Sequence, residues 1–423
     1  MTWEQRYRLR QTARTSLVLW AGIALVAALA VAPAVRWLDR ETGWKLFDFS
    51  PDGARAVLSA LVGSMLTFIV FVLSATLIVV QLASGQWTPR VIRLVLATPG
   101  VKIALGILTF AFTYTLAALG RVEARVPDLH VGVAVLLNLA SIMVFFLFVQ
   151  RLSSALRPAS LVQLVADQAE QVIDQVYPTP LDPKRAELPE RQSLPAPANQ
   201  EIEFTGRSGV VMAFSAARLA RAARDADVAV ELVPQVGDFV APGDSLFRVA
   251  GGAKPIVPEV LRGCVAVGPE RTLEQDPRFV FRILVDIANK ALSPAINDPT
   301  TAVQALDQIQ RLLFHVGRRA LDDGQVRDRD GKLRLVYGTP NWPDFVMLAV
   351  SEVRHYGSGS LQVDRRLRAM LKRLIDELPE ARRPPLEAEL ALLRSAVERS
   401  FEDQEDRKRA NVADYQGVGS SET

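Results

Sequence analysis

The chain has 423 residues, of which 49% are hydrophobic and 22% charged, and its formal net charge is only +3. That balance gives no ground to expect a nucleic-acid binder, despite a pI near 9.1. Cys264 stands alone, which excludes an intrachain disulfide or a thiolate metal cluster, and His130, His315 and His355 form no zinc-binding spacing, so neither metal nor cofactor is expected.

The apolar residues are concentrated at the front. Thr15 to Val35 carries no charge; its length of about 21 residues, at about 1.5 Å each, crosses a hydrocarbon core of about 30 Å. Arg6, Arg8, Arg10 and Arg14 precede it as the n-region of a signal peptide would, but its length and the spans behind it argue for a retained helix. Ala56 to Ala83 is longer and implies tilt. Ile103 to Gly120 and Val131 to Gln150 complete four spans with no Asp, Glu, Lys, Arg or His inside them. Arg90, Arg93 and Lys102 lie between spans two and three, and Arg151 and Arg157 follow span four. These share a side with the N-terminal arginines, whereas in the opposite loops Arg36, Arg40, Lys45 and Arg55 are offset by Asp39, Glu41, Asp48 and Asp52. The expectation is a bacterial inner (plasma) membrane protein, multi-pass in the lipid bilayer, with N- and C-termini cytoplasmic.

Span two carries a polar pattern. At 100° per residue, Ser59, Gly63, Thr67, Ser74 and Gln81 fall within an arc of roughly 80° on an otherwise aliphatic and aromatic helix. Span three has Gly106, Thr109, Thr113 and Gly120, and span four Asn138. Such stripes serve close helix packing or line a watery path. A path would need several copies of so small a bundle, hence a homo-oligomer.

Behind the membrane region, Pro158 to Val176 has the apolar spacing of an amphipathic helix, and Tyr177 to Gln200 is a Pro-rich linker. Gly209 to Phe214, Val228 to Val233 and Ser245 to Val249 read as strands, with a helix at Ala216 to Ala226. The segment from Val236 to Leu246 is similar to the turn-rich part of biotinyl and lipoyl carrier modules but lacks their modified lysine, which suggests a small β scaffold. A helix is expected from Phe279 to Ala291 and another from Thr300, Asp298 capping it and Pro299 in its first turn. Arg282, Asp286 and Lys290 share a face of the first. Val326 to Val336, centred on Asp330-Gly331, reads as a hairpin; Asn341 to Tyr356, Leu361 to Leu378 and Pro385 to Arg409 read as helices. Arg365, Arg366, Arg368, Lys372 and Arg373 suggest a solvated face or one drawn to anionic lipid.

The segment Glu270-Arg271-Thr272, Gln275-Asp276, Leu284 to Ala288 and above all Ala291-Leu292-Ser293-Pro294-Ala295-Ile296-Asn297-Asp298-Pro299-Thr300-Thr301-Ala302 resembles the signature of a large bacterial family of predicted multi-pass membrane proteins of unknown function. Ala295 stands where many members carry Gly. The resemblance covers nearly the whole chain and implies no substrate, cofactor or reaction.

The fold class expected is membrane α-helical followed by a cytoplasmic α+β region. Residues 1–157 form the transmembrane domain, 158–200 the amphipathic helix and linker, 201–251 a β-rich module, 252–410 a mainly helical domain with the motif, and 411–423 a disordered tail. Arg271, Thr272, Gln275, Asp276, Asp286, Ser293, Asn297, Asp298 and Thr301 are candidates for one cytoplasmic site, against the alternative of a capped helix junction. No phosphate loop, serine elbow or metal constellation is present, so catalysis is not expected. An oligomeric channel-like or transport-related protein with a cytoplasmic gating or assembly domain is the leading reading. The alternative is a membrane-tethered sensor or scaffold that binds a ligand or protein partner.

Overall fold

Long apolar helices and short alternating strands cannot share one core, and the chain divides accordingly into a unit of residues 10–160 and a second made of Met1–Leu9 with Leu161–Thr423. The computed structural model describes residues 3–42, 49–86, 99–122, 126–155, 157–182, 193–252 and 255–419.

Helix α1 (Trp3–Thr15), which the division cuts after Leu9, breaks at Ser16, whose hydroxyl accepts from Leu19 N–H at 3.2 Å and so caps α2 (Leu17–Thr42). With α3 (Pro51–Gln86), α4 (Pro99–Leu119) and α5 (Asp128–Ala155), α2 supplies four helices long and apolar enough to cross a membrane. α4 is the central helix and packs on the other three. Ala28, Ala32, Ala54, Ala111, Ala118 and Ala134 are buried at the contacts, and their missing bulk lets the backbones approach.

The helices extend past the charge-free runs, which corrects the expectation that no ionisable residue lies within a span. Arg36, Asp39 and Arg40 belong to α2, Lys102 to α4 and His130 to α5. A helix propagates until its ends are capped rather than until its apolar run stops: Pro99 opens α4, and Asp39 accepts from Leu129 N–H at 2.8 Å in the first turn of α5.

The second unit is α+β. Helix α6 (Pro158–Val176) buries Leu161, Val165, Ala169, Val172 and Ile173, as its spacing requires. Strands β1 (Gln200–Glu203) and β2 (Gly209–Phe214) precede α7 (Ala216–Asp225). There follow β3 (Val228–Leu232), β4 (Phe239–Val240), β5 (Ser245–Gly251), α8 (Pro258–Arg262) and β6 (Val265–Gly268). Helices α9 (Pro277–Ala291) and α10 (Pro299–Gly317) carry the motif, and β7 (Gln325–Arg327) and β8 (Leu333–Tyr337) form the expected hairpin, turning at Gly331 with φ 78°. The chain ends with α11 (Trp342–Tyr356), α12 (Leu361–Glu377), α13 (Arg383–Ser400) and α14 (Gln404–Ala410).

A five-stranded sheet has the order β1-β5-β3-β8-β7, and a three-stranded sheet β4-β2-β6. All pairs are antiparallel except β3 with β8, where Val230 faces Leu335. Both sheets therefore draw strands from beyond residue 251, and the β scaffold is not a self-contained 201–251 module. The parallel pair needs a long crossover, and α9 and α10 lie within it.

Three further expectations are corrected. Arg365, Arg366 and Arg368 are buried, neither solvated nor lipid-facing: Arg366 binds Asp307 at 2.7 Å and Gln310 at 2.9 Å, and Arg365 donates to the Gly419 carbonyl at 3.0 Å. Through residue 419 the tail is ordered, because buried Asp414 gathers the amides of Gln416, Gly417 and Gly419; residues 420–423 lie outside the described ones. The helix expected from Pro385 to Arg409 is two, since Asp403 caps α14 by accepting from Glu405 and Asp406. Of the Pro-rich linker, Pro180 pairs with Arg319, and residues 183–192 lie outside the described ones.

Candidate functional site

Two places concentrate polar chemistry, one in each unit. In the membrane unit the stripe Ser59, Gly63, Thr67, Ser74 and Gln81 is exposed along α3, while Leu58, Met65, Val72 and Val79 on the other face are buried. The stripe thus plays no part in packing within the described bundle; alanines do that. Thr67 returns its hydroxyl to the Gly63 carbonyl at 3.0 Å. Of the polar positions noted in α4, Thr113 is buried, while Gly106 and Thr109 are half-buried.

The buried polarity lies instead between α4 and α5. His130 is fully buried, with Nδ1 2.7 Å from the Tyr114 hydroxyl. Two turns further along α5, Asn138 donates to Thr115 Oγ1 and to the Ala134 carbonyl, each at 2.8 Å. Ser141 follows, also fully buried. His130 Nε2, Asn138 Oδ1 and Ser141 Oγ have no partner among the described residues. The spacing 130, 138, 141 keeps all three on one helix face over a rise of roughly 16 Å. Asn138 was visible as a polar residue in an apolar run; His130 was not, because it precedes that run.

In the second unit the candidate motif residues fall in separate places. Arg271 and Asp276 pair at 3.0 Å, and Asp276 also caps α9 by accepting from Phe279 N–H at 3.1 Å, with Pro277 in the first turn. Gln275 both donates to and accepts from the backbone of Phe214, tying the motif to the end of β2. The Thr272 hydroxyl lies 3.2 Å from that of Tyr7 in α1. Asp286 sits mid-helix on Arg282, which also grips Glu352 of α11 bidentately at 2.5 and 2.6 Å. Ser293 donates to the Lys290 carbonyl, Asn297 takes φ 48° and Asp298 caps α10 through Thr301. The positive φ belongs to Asn297, a residue that tolerates it, and not to Ala295. Since the 15 residues of α9 separate the two ends of the motif by roughly 22 Å, they do not make one site.

A cavity of about 300 Å³ opens at the Asp276 end, lined by Tyr177, Phe214, Glu274, Gln275, Arg278, Asp322 and Tyr337 among others. Asp276 is 3% exposed, and its carboxyl is pushed up by burial, with Arg271 and Arg278 opposing the shift. Tyr337 donates to Asp322 and its phenol is pushed up by burial and by that carboxylate. The Asp-Pro pairs at 276–277 and 298–299 announce the same cap at both ends of the motif, a signal visible in the sequence but read only at the second. No group of three His, Cys, Asp or Glu side chains able to hold a metal occurs among the described residues.

Residues 14–373 match the sequence model of the family described as Predicted membrane protein (DUF2254). The chain belongs to this DUF2254 family. Its curated relatives include an uncharacterized protein of Mycobacterium bovis and uncharacterized proteins of two Mycobacterium tuberculosis strains. Each is 29% identical over 378 residues, covering 86% of this chain and 71% of the relative. No solved structure matches. The DUF2254 match takes in all four membrane helices, both sheets, the cavity and both motif helices, and it ends inside α12. The tail that buries Arg365 and Arg366 therefore lies outside it.

Proposed function

We propose that the protein is a channel-like or transport-related membrane protein in which the seam between α4 and α5 carries water, protons or a small polar solute. The observation behind this reading is the set of buried atoms without partners, His130 Nε2, Asn138 Oδ1 and Ser141 Oγ. In hydrocarbon each such group costs several kcal/mol, and a chain of waters or a passing solute removes that cost. The His130 imidazole and the Tyr114 hydroxyl, 2.7 Å apart, supply a hydrogen-bonded pair of the kind that hands on protons inside membranes.

The outward stripe on α3 is assigned to contact between copies, so the working form is a homo-oligomer. The excess of Lys and Arg on one side supports a reading in which both termini face the cytoplasm across a bacterial inner membrane, with the α+β unit as gate or assembly platform. The reading is non-enzymatic.

The test is reconstitution into liposomes with an entrapped pH dye, followed by an acid pulse and by osmotic and ionic gradients. Wild-type protein should accelerate dissipation of at least one gradient, and Asn138→Leu, which closes the seam with an apolar group, should lower that rate by about tenfold, a loss of about 1.4 kcal/mol. Wild-type vesicles indistinguishable from protein-free ones under every gradient would sink the reading.

A further inference from the structure

The cavity beside Asp276 has the chemistry of a binding site for a small organic cation. Three carboxylates, Glu274, Asp276 and Asp322, reach its wall against the guanidinium of Arg278, which is itself held by Gln235 Oε1 at 3.0 Å. Asp276 is answered by Arg271, and Asp322 makes no ion pair among the described residues. Tyr177, Phe214 and Tyr337 supply aromatic surface, Phe214 and Tyr337 meeting edge to face with ring centroids 4.9 Å apart. Carboxylate oxygens and aromatic faces together attract an ammonium or guanidinium group and repel an anion.

An acidic cluster alone would be a solvated surface feature. A second observation sets this one apart. Tyr177 is 1% exposed, and its hydroxyl makes no hydrogen bond of normal geometry. The groups that act on it are Thr339, Asp322, Arg278 and Asp276, all of which line the cavity. A buried phenol to which Thr339 gives no well-formed hydrogen bond loses up to about 1–3 kcal/mol, which a ligand N–H would offset. Asp322 has one oxygen on the Gly324 amide at 3.0 Å and the other on Tyr337, leaving lone pairs for a cationic donor.

From these we infer that the cavity binds a small amine or guanidine, its charged nitrogen between Asp322 and the Tyr177 hydroxyl and its carbon skeleton against Phe214 and Tyr337. A volume of about 300 Å³ is at the lower end for small-molecule sites and suits such a ligand better than a nucleotide. The inference is independent of whether the membrane seam conducts.

The experiment is calorimetric titration of the detergent-solubilised full chain with putrescine, propylamine and guanidinium, with inorganic phosphate and Mg²⁺ as controls. At least one organic cation should bind saturably with a Kd of about 1 mM or tighter. Tyr177→Phe, which removes only the hydroxyl, should weaken that binding by about tenfold while leaving the ligand-free protein as stable as wild type or more so. Asp322→Asn should weaken it similarly, and if that variant does not fold, Tyr177→Phe decides alone. Preference for phosphate or Mg²⁺, no saturable cation binding, or unchanged affinity in Tyr177→Phe would each overturn the assignment.

Discussion

Asp364, in the first turn of α12, is fully buried; one oxygen accepts from Gly359 N–H at 3.2 Å and the other has no partner among the described residues. Burial pushes its carboxyl up to about 7, against the pull of the Gly359 amide and Arg368. The folded state thus holds this proton more tightly than the unfolded chain does, so Asp364 favours folding most below the unfolded value and loses that advantage as pH rises towards 7. Asp364→Asn should therefore stabilise the protein by up to a few kcal/mol at pH 8, the gain shrinking over roughly pH 7 to 4. Thermal melts of the two proteins across that range check it, and a pH-independent difference would contradict it. At this scale the sequence was half legible. Asp298 announced itself as a cap because Pro299 follows it, but the burial of Asp364 and the isolation of the Tyr177 hydroxyl depend on neighbours far along the chain.

Helix α12 shows the same limit for an element. Its apolar positions Val363, Leu367, Met370, Leu371 and Leu374 are buried, as helical spacing requires, yet so are Arg365, Arg366 and Arg368 between them. Their partners lie in α10, at Asp307 and Gln310, and beyond α14, at Val412 and Gly419. Hydrophobic periodicity carries no information about a charge neutralised from another element, so the cluster read as a wet face. Arg366→Ala should cost about 1–3 kcal/mol by stranding buried Gln310, whereas Lys372→Ala, on the partly exposed side, should stay within about 0.5 kcal/mol. Chemical denaturation of both variants separates the cases; equal effects would mean that the burial is unimportant. In the membrane, hydropathy located each span but truncated it at the first charge, which hid His130 and Lys102. Packing by alanines in turn left the more conspicuous stripe of α3 unpartnered within the described bundle.

For the whole molecule, division into a four-helix membrane unit and an α+β unit was legible because hydropathy changes abruptly near residue 157. The internal borders of the second unit were not, since strand pairing across more than a hundred residues leaves no local trace. β3 has β8 as one of its two neighbours, and β2 has β6. A peptide of residues 201–251 should accordingly be unfolded by circular dichroism and amide dispersion, having lost one flank of each sheet. A cooperative melt from that peptide would show that the borrowed strands are dispensable.

The parallel alignment of Val230 with Leu335 also orders events at the ribosome. Four hydrophobic segments leave the exit tunnel and enter lipid first, while the third strand emerges with one flank bare and waits for a companion whose codons are still untranslated. At about 5–20 residues per second, that wait lasts for seconds. Throughout it an open ladder of amides and carbonyls is a template for wrong partners. Prior attachment to the bilayer keeps nascent neighbours from diffusing together in bulk water, so insertion protects the assembly of the sheet.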